Sequence, residues 1–274
     1  MKKLTAVSLI LMMFLSVLML SSCGEVTAYS LVTDAQEKMN KLDSYEMDMD
    51  LTITVDMGTM SGTIPYKINT KASGLMGENP VSLSTATVIN ETMVTYTEGD
   101  WIYTVSGGVG TKSRVDNEMM ERLSSTVAES LINNPFSEEM MQDVEIMENE
   151  DGTRSVSVPM SDDTFEGLFD SILDEIFSDE ISEAFLAVGI EDIRMSFTDV
   201  VTDFTVNEDG YFVKYDMSGN LVMGITASEE AGGTSVSMEM PFDMSCTYKN
   251  PGTAVTVTPP TGYQDFPEES TPAF

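Results

Sequence analysis

From Tyr45 to Met57 every odd residue is apolar (Tyr45, Met47, Met49, Leu51, Ile53, Val55, Met57) and every even residue is polar or acidic (Glu46, Asp48, Asp50, Thr52, Thr54, Asp56). Side chains alternate across a strand, so this run predicts one long antiparallel strand with a buried face and a wet face. Its partners follow at short intervals, at residues 62–73, 81–89, 92–97 and 101–105, with Glu98-Gly99-Asp100 as a tight hairpin turn. A second hairpin is expected from Asp143 to Pro159, turning at Asn149-Glu150-Asp151-Gly152. Further strands are expected at 192–206, 210–217, 220–227, 234–248 and 253–258. Asn207-Glu208-Asp209-Gly210 repeats the turn tetrapeptide, which reads as two hairpins that each need a positive-φ glycine. A shared calcium loop is the alternative, and neither copy carries the DxDxDG pattern with a distal glutamate.

Helical spacing appears in three places. Leu31, Ala35, Met39 and Leu42 predict a short amphipathic helix over 31–42, with Ser30 or Thr33 as its cap. Asp116 or Asn117 caps a second, whose Met120, Leu123, Val127 and Leu131 share a face before Asn133-Asn134-Pro135 ends it. Phe165, Leu168, Phe169, Ile172, Leu173, Ile176 and Phe177 form the most apolar face, in a helix that either continues through Ile181, Phe185 and Val188 to a stop at Gly189 or breaks at Ser178. That helix either simply covers a sheet or lids a concave one above an acyl-sized cavity.

The amino terminus has a different character. Met1, Lys2 and Lys3 precede an uncharged apolar run from Leu4 to Leu20, too short for a comfortable membrane span and right for an export signal. The run ends in Leu20-Ser21-Ser22-Cys23-Gly24, which resembles the lipobox of bacterial lipoproteins, in which the cysteine is diacylated before cleavage. On this reading residues 1–22 are a signal peptide, 23–30 a lipidated tether, 31–266 a single domain and 267–274 a flexible tail. Cleavage leaves 252 residues, with 11 Lys and Arg against 46 Asp and Glu, a formal −35. Cys23 is consumed by the lipid, so Cys246 is the sole free thiol and no disulfide framework is available. Acyl chains hold the protein to the outer face of the cell membrane at about 0.8 kcal/mol per buried methylene, without a basic patch.

Composition removes whole classes of function. A formal charge of −33 argues against nucleic acid, whose affinity is built from Lys and Arg on phosphates, and against adsorption to an anionic bilayer. The chain has no histidine, which excludes Ser-His-Asp and Cys-His nucleophiles and HExxH zinc sites. The segment Gly107-Gly108-Val109-Gly110-Thr111-Lys112-Ser113 imitates a phosphate loop without its spacing and reads as a glycine-rich turn. A carboxylate pair for glycoside hydrolysis needs only two acids, and with 46 of them the sequence points to none in particular. The 23 methionines allow three readings: core filling, an adaptable lining for a variable apolar ligand, or a thioether Cu(I) site.

Three segments together resemble the LolA/LolB-like lipoprotein carriers and their surface-anchored relatives of the LppX/LprG type and in Gram-positive bacteria. They are Ala35-Gln36-Glu37-Lys38-Met39-Asn40-Lys41-Leu42-Asp43-Ser44-Tyr45 before the alternating strand, the hairpin Tyr96–Tyr103 around Trp101, and Thr247-Tyr248-Lys249-Asn250-Pro251 followed by Val255-Thr256-Val257-Thr258-Pro259. The resemblance implies an α+β fold: a large antiparallel, incompletely closed β-barrel of about 9–11 strands around two to four helices. It also implies a hydrophobic cavity for acyl chains and no catalytic residues. The expected protein is a non-enzymatic, membrane-anchored extracytoplasmic lipoprotein, without cofactor or metal. Its ligand is a lipid or lipoprotein acyl chain, bound between Tyr45, Met47, Met49, Leu51, Ile53 and Val55 of the strand and Phe165, Phe169, Ile172 and Ile176 of the helix. The alternative is a surface interaction or sensor module with a filled core. Cys23→Ser is expected to abolish acylation and release the protein from membranes, read by intact mass and by fractionation.

Overall fold

The computed structural model describes residues 26–56, 61–77, 79–114, 137–160, 190–227 and 233–268. The helices expected near 117–133 and 165–188, with Phe165, Phe169, Ile172 and Ile176, lie outside these residues, as does Cys23. The described chain contains one α-helix, α1 (Ala28–Met39), where two to four were expected. Eleven strands follow: β1 (Ser44–Asp56), β2 (Ser61–Ser73), β3 (Val81–Val88), β4 (Glu91–Glu98), β5 (Trp101–Ser106), β6 (Val109–Arg114), β7 (Met147–Glu148), β8 (Arg154–Pro159), β9 (Ile190–Val206), β10 (Phe212–Ala227) and β11 (Ser235–Tyr248). All pair antiparallel in one open sheet of order β6-β5-β4-β3-β2-β1-β11-β10-β9-β8-β7. The alternating strand lies in its middle, joined to β2 along its whole length and to β11 from Met47 to Ile53.

Both acidic tetrapeptides are hairpin turns. Gly152 and Gly210 take φ of 83° and 79°, and their N–H groups donate to Asn149 O and Asn207 O at 3.1 and 2.9 Å. Other boundaries differ from the sequence expectation for local reasons. Thr27, not Ser30 or Thr33, caps α1: its hydroxyl accepts from Ser30 N at 3.1 Å while Ser30 Oγ accepts from Thr27 N at 3.0 Å, so the helix starts at Ala28. The expected break at Ser218-Gly219-Asn220 is instead a register shift within one continuous strand. A Cβ on Gly219 would meet Val200 Cγ2 at 3.0 Å, so the glycine admits the irregular part of β9. Residues 253–258 do not form the expected strand. Asn250 turns at φ 47°, and Val255 N is taken by the Ser44 hydroxyl at 3.1 Å rather than by a neighbouring strand. The glycine-rich segment is a turn at Gly107-Gly108 that then continues as β6, a strand the sequence reading omitted.

The sheet hides opposite faces at its two ends. On the β8–β10 side, Ala28, Leu31, Val32 and Ala35 of α1 bury together with Val156, Val158, Val200, Phe204 and Val206, and Met141 closes the cluster. On the β3–β6 side the packed face is the other one. Tyr96 and Tyr103 pair across β4 and β5, and Tyr263 stands edge-on to both, with centroids 5.1 and 4.8 Å away. The Tyr263 hydroxyl donates to Glu98 at 3.0 Å. Phe266 lies over Gly110, where a Cβ would sit 2.5 Å from the ring. Lys112 N donates to Pro267 O at 2.9 Å, so the carboxy-terminal segment straps the outer edge of β6. Met141 is 2% exposed, and Met141→Ala is expected to lower the unfolding free energy by about 2–5 kcal/mol, measured by urea titration.

Candidate functional site

Register places the six β1 candidates on one side of the sheet with a set of partners. Met49 pairs with Ile68 of β2 and Cys246 of β11, Leu51 with Tyr66 and Met244, and Ile53 with Ile64 and Phe242. The rows continue into β10 and β9, where Cys246 faces Tyr215 and Phe204, and Met244 faces Met217. Beyond the irregularity in β9 the same face carries Leu221 against Phe197 and Met240, then Met223 between Met195 and Met238. The result is a continuous apolar, thioether-rich surface across five strands. Thioether side chains have soft torsions and polarizable sulfur, so such a surface repacks around different shapes at low cost.

The candidates do not share one environment. Leu51 and Ile53 pack against the buried cluster. Tyr45 stands edge-on to Tyr248 at 6.3 Å between centroids. Met47, Met49 and Val55 are half-buried. Among the described residues, grooves lie at three places away from the odd positions of β1. One lies along α1 and contains Lys38, Lys41 and Arg154; one crosses the wet face at Asp50, Asp203, Asp216 and Asp243; one flanks the start of α1. The sequence reading missed the β2 and β11 contributors. Those of β11 were visible in principle, because Val236, Met238, Met240, Phe242, Met244, Cys246 and Tyr248 alternate as regularly as β1.

Burial dominates the chemistry of the polar groups on this face. Desolvation pushes the Cys246 thiol up to about 11 and the Tyr215 and Tyr248 phenols up to about 12. The Tyr215 hydroxyl donates to Met217 Sδ at 3.8 Å. Cys246 is therefore a neutral, weakly nucleophilic thiol near neutral pH. The wet face is organised by cations instead. Lys249 Nζ lies 2.7 Å from Asp48 and 3.1 Å from Glu46, Lys71 lies 3.4 Å from Glu46, and Asn69 donates to Asp48 at 2.6 Å. Hydrogen bonding to Lys249 holds both carboxyls below their usual range.

With this geometry in place, the profile described as "Family of unknown function (DUF6612)" matches residues 27–260. The chain belongs to that family. The family's span runs from the α1 cap past the end of β11. No curated protein matches the chain. Among solved structures, this family member is similar to the Mycobacterium tuberculosis lipoprotein LppX at 10% identity and a TM-score of 0.43, over 84% of this chain and 97% of that one. It is similar to a LolA superfamily protein from Nitrosomonas europaea at 10% identity and a TM-score of 0.24, over 86% and 96%. A DUF1329 family protein from Desulfovibrio piger matches at 10% and 0.24, over 85% and 96%.

The raised groups give a signed expectation. The Cys246 thiol titrates at 9.0 when unfolded and at about 11 when folded, so its contribution to stability is complete below pH 9 and is lost as pH rises towards 11. Native protein is expected to resist iodoacetamide at pH 8 and to react once unfolded in guanidinium, followed by intact mass.

Proposed function

We propose that this protein is a membrane-anchored extracytoplasmic lipoprotein that holds an apolar or amphiphilic ligand, a lipid or an acyl chain, against the thioether-rich face of its sheet. One observation carries the reading: among the described residues, the apolar rows reach beyond the cluster that α1 and Met141 bury, and Met47, Met49, Met195, Met223 and Met238 along them are only half-buried. A sheet face built only for internal packing would end where its cover ends. The acidic residues occupy the opposite face of β1, where Lys249, Lys71 and Lys67 pair with them, so no charge is desolvated by a ligand on the apolar side. The lipobox around Cys23 supports the extracytoplasmic, membrane-tethered placement. The domain then runs from the α1 cap at Thr27 to the strap at Pro267, wider at both ends than the expected 31–266, and binding rather than catalysis is its role.

Protein starting at Gly24 and purified from a bacterial host is expected to carry co-extracted lipid at about one per chain, identified by solvent extraction and mass spectrometry. Absence of lipid, together with no uptake of a fluorescent fatty acid, supports the filled-core interaction module instead.

A further inference from the structure

The described chain begins at Val26, three residues after Cys23, and Val26 is half exposed at the mouth of a groove of about 390 Å³. The groove runs between the first turn of α1 and the segment after Ser137. Its apolar wall is made by Val26, Tyr29, Met141, Val144 and Ile146, and the exposed Glu138 and Gln142 complete the lining. Met141 is fully buried, while Tyr29, Val144 and Ile146 pack against the core, so the wall is fixed by the fold. Three residues span about 10 Å when extended, which brings the sulfur of Cys23 within reach of this wall.

We propose that this groove shelters an acyl chain carried by Cys23. The inference rests on the lipid-anchored reading above and adds a place for the lipid within the protein itself. A diacylated cysteine offers two chains, and stable anchoring takes two, since a single chain gives only marginal, reversible membrane binding. Withdrawing one chain into the groove turns a fixed anchor into a reversible one. The capping box of Thr27 and Ser30 sets the direction in which the chain leaves α1, and the groove lies beside that exit.

The test uses the full-length protein, made in bacteria fed a diazirine-bearing fatty acid and reconstituted in vesicles of phosphatidylcholine and phosphatidylglycerol. After irradiation, peptides are mapped by mass spectrometry. The expected result is a crosslink from the Cys23 lipid to Tyr29 or to residues 137–146, lost in Ile146→Trp and in Gln142→Trp. The second variant fills the groove from an exposed position and spares the core. Acylated Cys23 that crosslinks only to vesicle lipid overturns the groove, as does a crosslink that survives both substitutions. An unmodified Cys23 in the intact mass overturns the anchoring reading itself and this inference with it.

Discussion

The pairing of β1 on both sides is the constraint from which the rest of the structure follows. A strand that carries acids on one face and apolar residues on the other has one acceptable orientation, because a slip of one residue would move every acid into the apolar layer. Thirteen residues of β1 are matched by β2, and β11 returns from nearly two hundred residues away to match the other edge. β2, β11, β10 and β9 inherit the same sidedness through register. The thioether face and the carboxylate face are therefore consequences of a single alternating segment propagated outward.

Local signals were the legible part. Alternation located most strands to within a few residues, and the two acidic tetrapeptides were recognised as hairpins because a glycine at positive φ is the cheapest way to close them. The start of α1 was misplaced because the apolar period begins at Leu31, whereas the cap depends on a reciprocal Thr27 and Ser30 pair that carries no hydrophobic signal. The continuity of β10 through Gly219 depends on Val200 pressing in from another strand, which no local window contains. The candidate site was half legible for the same reason. The odd residues of β1 were readable, but their meeting with Cys246, Met244 and Phe242 is a fact of long-range register.

The switch of packed face between the two ends of the sheet was not legible at all. Residues of β3 to β5 such as Leu83, Val94, Tyr96 and Tyr103 lie on the side that carries Glu46 and Asp48 at the centre. Between them, Lys71, Asn69 and Lys249 form a polar seam that tolerates the change. The apolar layer on one side and the tyrosine cluster on the other can then differ in mobility and purpose, because neither shares side chains with the other.

The strap across β6 bears on how such a chain behaves in company. The end strand of an open sheet presents unpaired N–H and C=O groups that invite another chain. Here Lys112 N is already occupied by the Pro267 carbonyl, and Pro267 has no N–H with which to extend the ladder further. Tyr263 and Phe266 hold that occupant in place from the flank. The tail thereby turns a bare end strand into one whose backbone is already partly engaged, so the β6 edge offers a neighbouring chain less to pair with.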